Sequence, residues 1–421
     1  MPLTDKQKEI ITASIPFLES NGVELTANFY AYMLETYPEV RPFFNKTHQK
    51  TKSQPKILAF ALVNYAKNIN DLTPLLGFVR QIVEKHVGLQ VTPEQYDIVG
   101  TCLLKTLSEM LGEAATEEFI EAWKVAYFDL ANILIGLEKE RYATELKIEN
   151  AWLGFKDATV FKIVEESDSI KSIYIKANDG KLPKFQPGQY ITIRLETDDE
   201  QSLQSREYSL SNEYNDLISQ EHGLDHYRIS IRKIPNGIAS NFIHNHVSEG
   251  FKLQITSPYG KLLEPALKSI EERTEEVNKP VVFFVGGIGI TPSLSLVEYF
   301  LSRGNDVKLF LSNSNTTSRP FNDWVSTIVS KYPNLLQVNE YISKGVESNS
   351  KLNLPTGSNY KVHDRRINTS DLSFFTKENI NDYNYYLIGP LPFMKVIQDD
   401  LSGKGLDVST INSEQFGPVS V

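Results

Sequence analysis

Three features that bear on protein class are scarce in this chain of 421 residues: cysteine, long apolar runs and positive charge. The one cysteine, Cys102, cannot form an internal disulfide, which predicts a reducing, cytoplasmic compartment. The longest apolar stretch, residues 281–290, is about half of the ~20 residues that a transmembrane helix needs, and the N-terminus has no apolar signal core. Lys and Arg number 43 against 53 Asp and Glu, and this net charge of −10 argues against nucleic acid as a partner.

The overall composition is that of a folded protein with several domains. Hydrophobic residues make up 41% and charged residues 23%, which excludes disordered and fibrous classes. At about 150 residues per domain, the length predicts roughly three domains.

Residues 1–148 show helical periodicity only. Thr4 and Gln7 form a capping-box pattern, and a second helix start has Pro93 at its first position. One long amphipathic helix is predicted from apolar residues spaced by three and four: Phe119, Trp123, Ala126, Leu130, Ile133 and Leu137. The first third is therefore predicted to be all-α.

The spacing of apolar residues then changes twice along the chain. Residues 152–263 contain short segments that alternate apolar with polar, separated by turn signals, which predicts an antiparallel β-barrel. After a charged connection, residues 279–421 begin with the continuous apolar run 281–285, typical of a buried parallel strand. Helical patterns between further runs predict an α/β doubly wound sheet, with the polar segment 343–369 as an exposed loop.

A glycine-rich turn follows the run 281–285. It consists of Gly286, Gly287, Ile288, Gly289, Ile290, Thr291 and Pro292. Between a strand and a helix, such a turn lets backbone N–H groups approach a phosphate. The dinucleotide fingerprint is incomplete because Pro292 stands where its last glycine would be, so a tight turn without a ligand stays an alternative.

A second pattern lies in the predicted barrel, at Arg206-Glu207-Tyr208-Ser209. An arginine can clamp a pyrophosphate, a tyrosine can stack on a flat ring, and a serine can hydrogen-bond a ring nitrogen. The segment 237–241 follows as a helix start that can hold a phosphate.

Together with Gly389-Pro390 and the terminal segment 414–418, these motifs resemble the ferredoxin–NADP reductase family in order and context. The resemblance implies an FAD-binding barrel followed by an NAD(P)-binding domain. It implies that the following residues bind the cofactors: Tyr190, Arg206, Glu207, Tyr208, Ser209, Gly237, Ser240, Asn241, Gly287, Ile288, Gly289, Ile290, Thr291, Pro292, Gly389, Pro390, Gln415, Phe416, Gly417 and Pro418.

The helical third contains one histidine at a notable position. His86 continues the helical spacing of Leu75, Val79 and Ile82, which places it on the buried face of a helix, where most histidines are core residues. An all-α domain with such a histidine also describes a globin that holds haem iron. The detail resembles the flavohaemoglobin family, in motifs that fall in the family's order and spacing: Phe29-Tyr30, Phe43-Phe44-Asn45, Gln54, Lys85-His86 and residues 93–100.

This resemblance, which covers essentially the whole chain, implies roles for individual residues. His86 corresponds to the proximal ligand of haem iron, and Tyr96 and Glu138 to the groups that hydrogen-bond its outer nitrogen. Glu140 is close enough to compete with Glu138, which can also be a solvated charge. The distal pocket corresponds to Tyr30, Gln54 and Leu58, with a core tyrosine as the alternative for Tyr30. A polar pair at the haem–flavin junction corresponds to Lys85 and Glu414. Where the family often has cysteine, this chain has Ile388 and Gln415.

The implied function is that of a nitric oxide dioxygenase, which converts O₂ and NO into nitrate. The implied cofactors are haem b, FAD and NADH or NADPH, and electrons pass from NAD(P)H through FAD to haem. The expected partners are O₂ and NO. A monomer is expected, and the resemblance admits a lipid or an azole in the haem pocket. A haem-based O₂ or NO sensor, a peroxide or quinone reductase, and a relative with altered activity stay open. The choice between NADH and NADPH also stays open, because the first cation after the polar segment 312–315 is Arg319, several residues on.

Overall fold

The structure is a computed structural model. It describes residues 3–44, 52–197, 203–272, 274–344, 355 and 357–416. Three residues of the predicted motifs, Asn45, Gly417 and Pro418, lie outside the described residues.

The first part of the chain is helical, as predicted. Its helices are α1 (Asp5–Ala13), α2 (Ile15–Thr36), α3 (Ser53–Lys67), α4 (Leu76–Leu89), α5 (Pro93–Leu111) and α6 (Glu117–Glu145). The capping boxes of Thr4 with Gln7 and of Thr92 with Gln95 are both present. The long amphipathic pattern forms α6, a helix of 29 residues. Its Trp123 is buried in a core with Phe29, Met33 and Leu103.

The next part forms a six-stranded sheet in the order β4-β3-β6-β1-β2-β5. The strands are β1 (Lys156–Ser167), β2 (Ile170–Ala177), β3 (Tyr190–Glu196), β4 (Leu203–Ser209), β5 (Tyr227–Arg232) and β6 (Lys252–Ile255). The pairs of β1 with β2, β1 with β6 and β2 with β5 are antiparallel. Leu210, directly after β4, pairs with Ile229 in β5, so the two edge strands of the order meet and the sheet closes into a barrel.

Three helices lie between or after these strands. They are α7 (Tyr214–Ile218), α8 (Ile238–His246) and α9 (Glu264–Glu271). Helix α9 lies within the charged connection between the predicted barrel and the α/β part.

The last part is a six-stranded sheet in the order β10-β9-β8-β7-β11-β12, whose neighbouring strands are parallel. Its strands are β7 (Val281–Gly286), β8 (Val307–Asn313), β9 (Leu336–Ile342), β10 (Tyr360–His363), β11 (Asn384–Gly389) and β12 (Asn412–Gln415). Its helices are α10 (Ile290–Ser302), α11 (Asn322–Lys331) and α12 (Leu391–Gly403). Every residue of β7 is buried, as predicted for a strand covered on both faces.

The predicted multidomain fold class is confirmed, with two local differences. Strand β10 lies within the segment 343–369, which was predicted to be a loop; it is an edge strand of only four residues, none of them fully buried, and so short a run gives little sequence signal. The buried residues of α4 include Val79, Val83 and Val87. His86, seven positions after Val79 and thus on the same side of the helix, is only partly buried, with its side chain 30% exposed.

The described residues form two compact units. One includes residues up to 155 together with 192–207, and the other includes 156–191 and 208–416. The division passes through β3 and β4, so Arg206 and Glu207 belong to the first unit, and Tyr208 and Ser209 to the second. The predicted domain limits of 1–148, 152–263 and 279–421 remain a proposal. In the part of the chain that the structure describes, no helix has both the length and the apolar character needed to span a membrane.

Candidate functional site

The site in the helical part is centred on His86, near the end of α4. Its Nδ1 lies 2.8 Å from the Tyr96 hydroxyl and 2.8 Å from Glu138 Oε1. The Tyr96 hydroxyl donates to the same carboxylate oxygen at 2.5 Å. Three helices, α4, α5 and α6, therefore contribute one side chain each to a closed triangle of polar atoms.

This triangle determines the tautomer of His86. A tyrosine hydroxyl has one proton, which Tyr96 donates to Glu138, so the contact between Tyr96 and Nδ1 needs a proton on Nδ1. The lone pair of the imidazole is then on Nε2. Burial, followed by the hydrogen bond to Glu138, raises the pKa of Tyr96, which keeps that proton in place at neutral pH. An imidazole oriented in this way by a carboxylate has the chemistry of a strong ligand for haem iron.

Glu138 is 3% exposed, whereas Glu140 is exposed. The sequence allowed either residue to be the partner of His86, and the structure brings Glu138 to it. The reason is the helical period, since Glu138 follows the buried Ala131 and Leu134 on the inner face of α6.

Tyr30, in α2, is 7% exposed and packs against Phe29 and Phe44, with ring centroids 4.8 and 5.5 Å away. Burial raises the pKa of its hydroxyl, and a side-chain hydrogen bond from Gln54 partly opposes that shift. Leu58, one turn after Gln54 in α3, packs against the same core. The structure therefore brings together Tyr30, Gln54 and Leu58, which the resemblance assigned to the distal pocket.

Lys85, adjacent to His86, forms an ion pair with Glu207 in β4, with Nζ 2.5 Å from Oε2. The carbonyl of Gly88, two residues after His86, accepts a hydrogen bond of 2.6 Å from the hydroxyl of Thr192 in β3. The segment that carries His86 is thus tied to two barrel strands at two points, both within the first compact unit. The sequence motifs did not reveal either contact, because the paired residues are more than 100 positions apart.

The arginine of the R-x-Y-S motif lies along its own strand. Arg206 donates from Nη1 to the Ser205 carbonyl and from Nη2 to Gln204 Oε1, both at 2.6 Å. In the second unit, the Ser209 hydroxyl donates to Glu414 Oε1 at 3.2 Å, which brings the motif to the terminal strand β12. Tyr190 pairs through its backbone with Tyr259 in both directions at 2.8 Å.

The predicted helix start after β5 is confirmed as the N-terminus of α8, with Gly237 as its first flanking residue. The hydroxyl of Ser240 accepts from the Ile234 N–H, and the Asn241 amide donates to the Ile234 and Gly237 carbonyls. Both side chains therefore shape the turn that leads into the helix.

The glycine-rich turn follows β7 directly, as a 3₁₀ turn over Gly287–Gly289, and leads into α10. A side chain does not fit at Gly289, since a Cβ there would lie 2.6 Å from the Ile388 carbonyl oxygen of β11. Gly287 has φ +55°, a conformation that favours glycine. The Thr291 hydroxyl donates to the Ile288 carbonyl at 2.9 Å, while Ile290 and Pro292 are buried at the start of α10.

The terminal motifs meet at the same edge of the sheet. Gly389 ends β11 beside Gln415 of β12, and Pro390 directly precedes α12. The Phe416 N–H donates to the Gly389 carbonyl at 2.9 Å. Since β7 and β11 are neighbours whose chain connections lead in opposite directions, their carboxyl ends form the crevice where doubly wound sheets bind nucleotides.

The residues fit the cofactors that the sequence implies. For haem, the ligand is Nε2 of His86, whose imidazole is oriented by the Glu138 carboxylate. For a dinucleotide, the binding turn is the glycine-rich turn after β7, where Gly289 has no space for a Cβ. The structure adds one charged side chain and one ion pair that sequence motifs did not reveal: Arg232 at the end of β5, beside Gly287, and the buried pair of Arg319 with Glu340.

Comparisons with known proteins agree with this arrangement. The globin family model matches residues 27–134. A flavohemoprotein from Candida albicans is 42% identical, covering 99% of this chain and 97% of the relative. One from Schizosaccharomyces pombe is 40% identical over 99% of this chain and 92% of the relative. One from Pseudomonas aeruginosa is 34% identical over 99% of both.

Among solved structures, a flavohemoglobin from Malassezia yamatoensis with bound FAD and heme is similar to this chain with a TM-score of 0.78. The similarity covers 99% of this chain and 100% of that chain at 24% identity, and so supports the fold.

Proposed function

The chain belongs to the flavohaemoprotein family, and from this premise we propose that it is an NAD(P)H-dependent nitric oxide dioxygenase that converts NO and O₂ into nitrate. The observation that carries the proposal is the contact of His86 Nδ1 with the buried carboxylate of Glu138. A carboxylate makes an imidazole ligand more electron-donating, which favours the activation of O₂ over its reversible carriage.

When bound, haem supplies an iron that takes up O₂, and FAD supplies a carrier that accepts a hydride and releases single electrons. Each protein residue then has a defined task. Glu138 and Tyr96 hold the proton on His86 Nδ1 and leave Nε2 for the metal. Tyr30, oriented by Gln54 in an apolar surrounding, provides a hydroxyl for a small polar ligand.

In the second unit, the glycine turn after β7 provides backbone N–H groups and the N-terminus of α10 for the phosphates of NAD(P)H. Ser209 belongs to the flavin motif and Glu414 to the terminal motif beside the nicotinamide site. Their contact supports a position at which the flavin and the nicotinamide lie next to each other. The family resemblance pairs Lys85 with Glu414. In the structure Lys85 contacts the Glu207 carboxylate, and Glu414 accepts a hydrogen bond from the Ser209 hydroxyl. We propose that both residues act in electron transfer through these contacts.

The expected substrates are O₂ and NO, and we propose a monomeric protein of the cytoplasm. A sensor is the weaker candidate, because a sensor has no need of a hydride source, and this chain carries the glycine turn and the terminal motifs of a reductase. A peroxide or quinone reductase uses the same flavin and is the second alternative.

The test is NO consumption by the holoenzyme under excess NADH, with and without O₂. We expect consumption only when both NADH and O₂ are present, with two NO consumed per NADH, because a hydride carries two electrons and each NO uses one. NO consumption without O₂, or NO binding without turnover, would overturn the proposal, as would reduction of peroxide or quinone at a rate above that of NO oxidation.

The variant His86→Ala separates the two halves of the reaction. It should lose haem and NO consumption while it retains NAD(P)H-dependent reduction of a soluble dye. His363→Ala, in the edge strand β10, is the control and should retain haem. Equal loss of both activities in His86→Ala would show that the substitution acts through unfolding.

A further inference from the structure

The hydroxyl of Thr192, in barrel strand β3, donates to the Gly88 carbonyl near the end of α4 at 2.6 Å. Thr192 is 0% exposed, and Gly88 is buried as well. Both residues belong to the first compact unit. A buried side chain of the barrel therefore holds the backbone of the helix that carries His86, two residues after that histidine.

The Gly88 carbonyl needs a donor from outside its own helix. It is one of the last four carbonyls of α4, which have no N–H partner within the helix. The N–H groups of residues 90 and 91 donate to other carbonyls, and that of Thr92 donates to the Gln95 side chain. Among the described residues, the Thr192 hydroxyl is thus the donor that satisfies this buried carbonyl, and burial without a donor would be unfavourable.

The same face of β3 has a second contact with the helical part. Arg194 follows Thr192 by two residues, and alternate residues of a strand lie on one face. Its guanidinium lies over the Phe155 ring at 3.6 Å and over the Phe43 ring at 5.9 Å. Its Nε also donates to the Ser205 hydroxyl in β4 at 3.3 Å. Strand β3 therefore connects the helical part with β4, the strand of the flavin motif.

The ion pair of Lys85 with Glu207 is the other link between α4 and β4. The Lys85 side chain is 62% exposed, so water and salt weaken its attraction to the carboxylate. The hydrogen bond of Thr192 is neutral and closed to water, so salt has little effect on it. Of the two contacts, the buried hydrogen bond is therefore the one that can fix the position of the helix end.

We propose that Thr192 is a positioning residue for electron transfer, which holds the end of α4, and with it His86, at a fixed place relative to the flavin motif in β4. The inference rests on the proposed function, since it places haem at His86 and FAD at Arg206. In the step concerned, reduced flavin loses one electron and ferric iron gains it. The rate of such a step falls steeply with distance, so a displaced helix end should slow it.

The test is anaerobic stopped-flow reduction of the holoenzyme by excess NADH under CO, in which flavin bleaching and the ferrous CO band are followed separately. Thr192→Val retains the shape of the side chain and removes the hydroxyl. Flavin reduction should proceed as in the parent, while the ferrous CO band should form about 10-fold more slowly, within the range that small displacements far from the reacting groups produce. Thr192→Ser, which restores the hydroxyl, should recover at least half of the parent rate.

Thr159→Val is the matched control. It makes the same change in barrel strand β1, where the Thr159 hydroxyl donates to Asn178 Oδ1 at 2.7 Å, and it should leave both rates within twofold of the parent. A second readout needs no turnover. Amide hydrogen exchange of residues 87–92, measured in the holoenzyme without NADH, should be faster in Thr192→Val than in the parent, because the helix end has lost its attachment.

An electron-transfer rate of Thr192→Val within twofold of the parent would overturn the proposal, as would an equal slowing of flavin reduction. Slow transfer that Thr192→Ser does not restore would also overturn it, since the hydroxyl would then not be the cause. If Thr192→Val fails to fold, the salt dependence of the parent decides. A parent rate that falls more than twofold from low to high salt would assign the positioning to the ion pair of Lys85, and a smaller change would support Thr192.

This assay uses neither NO nor O₂, so its result is independent of the NO assay. A protein that oxidises no NO but transfers electrons slowly in Thr192→Val would contradict the proposed function and support this inference. A protein that oxidises NO, with electron transfer in Thr192→Val as fast as in the parent, would overturn this inference alone.

Discussion

Arg319 and Glu340 form a bidentate ion pair, with Nε 2.6 Å from one carboxylate oxygen and Nη2 2.8 Å from the other. Both side chains are at most 3% exposed. Asn313, at the end of β8, and Tyr360, in β10, also donate to Glu340. The first cation after the polar segment 312–315 is therefore engaged with a carboxylate, and the pair links β8, β9 and β10.

We expect Glu340→Gln to destabilise the protein by about 3–5 kcal/mol, because it leaves a buried guanidinium without its counter-charge. The free energy of unfolding in urea, measured by tryptophan fluorescence, provides the test. Glu276→Gln is the control: it removes the exposed partner of Lys279, and a change below about 1 kcal/mol is expected there. If Glu340→Gln lowered the free energy of unfolding as little as the control does, the buried pair would contribute little to stability.

For the proximal side of the proposed haem site, the informative variant is Glu138→Gln. A neutral amide polarises the N–H of His86 less than a carboxylate, so the iron midpoint potential should rise and the iron–histidine stretching band should move to lower frequency. NO turnover should fall by about 10- to 100-fold, the usual effect of removing such an outer-shell partner. Glu140→Gln, on the exposed face of the same helix, should change neither spectrum nor turnover. Identical effects of the two variants would contradict the role of Glu138.

Buried tyrosines predict a loss of stability at alkaline pH. Burial raises the pKa above the ordinary value of 10.0 at Tyr30, Tyr65 and Tyr96. Each hydroxyl thus holds its proton more tightly in the folded chain than in the unfolded chain. The resulting stabilisation is complete below pH 10 and is lost as the pH rises through the higher, folded-state pKa. Urea midpoints measured between pH 8 and pH 11.5 should fall above pH 10, and less steeply in Tyr96→Phe. A flat profile would contradict the prediction.

Tyr30→Phe tests the distal pocket. A hydrogen bond from the Tyr30 hydroxyl to a partly anionic ligand in an apolar pocket should contribute about 1.5–3 kcal/mol. Its loss should raise the O₂ dissociation rate by roughly 10- to 150-fold and lower NO turnover. Stopped-flow O₂ displacement by CO measures the rate, with Tyr32→Phe on the same helix as the control. A rate within twofold of the parent would make Tyr30 a core residue only.

Arg206→Lys tests the flavin motif. A lysine cannot reproduce two parallel bonds to a pyrophosphate, so FAD affinity should weaken by about 1–3 kcal/mol while haem content stays normal. NO turnover should recover, at least in part, when free FAD is added. Arg303→Lys, an exposed position, should bind FAD as the parent does. Parent-like FAD affinity in Arg206→Lys would move the phosphate clamp to residues 237–241.

The sequence by itself determined those features that depend on residues close to one another along the chain. The spacing of Phe119, Trp123 and Ala126 predicted α6, and the continuous apolar run 281–285 predicted β7, because helix and strand periods are local properties of the chain. The short motifs predicted the glycine turn between β7 and α10 and the helix start at Gly237, and their combination identified the family.

Only the tertiary structure decided which distant side chains meet. Glu138 rather than Glu140 faces His86, Lys85 pairs with Glu207, and Arg232 reaches Gly287. Such contacts depend on how helices pack and on the register of strands, for example the pairing of Glu340 in β9 with Leu311 in β8. No local pattern specifies these distances, because each arises from burial of apolar surface elsewhere in the fold, which brings the polar groups together.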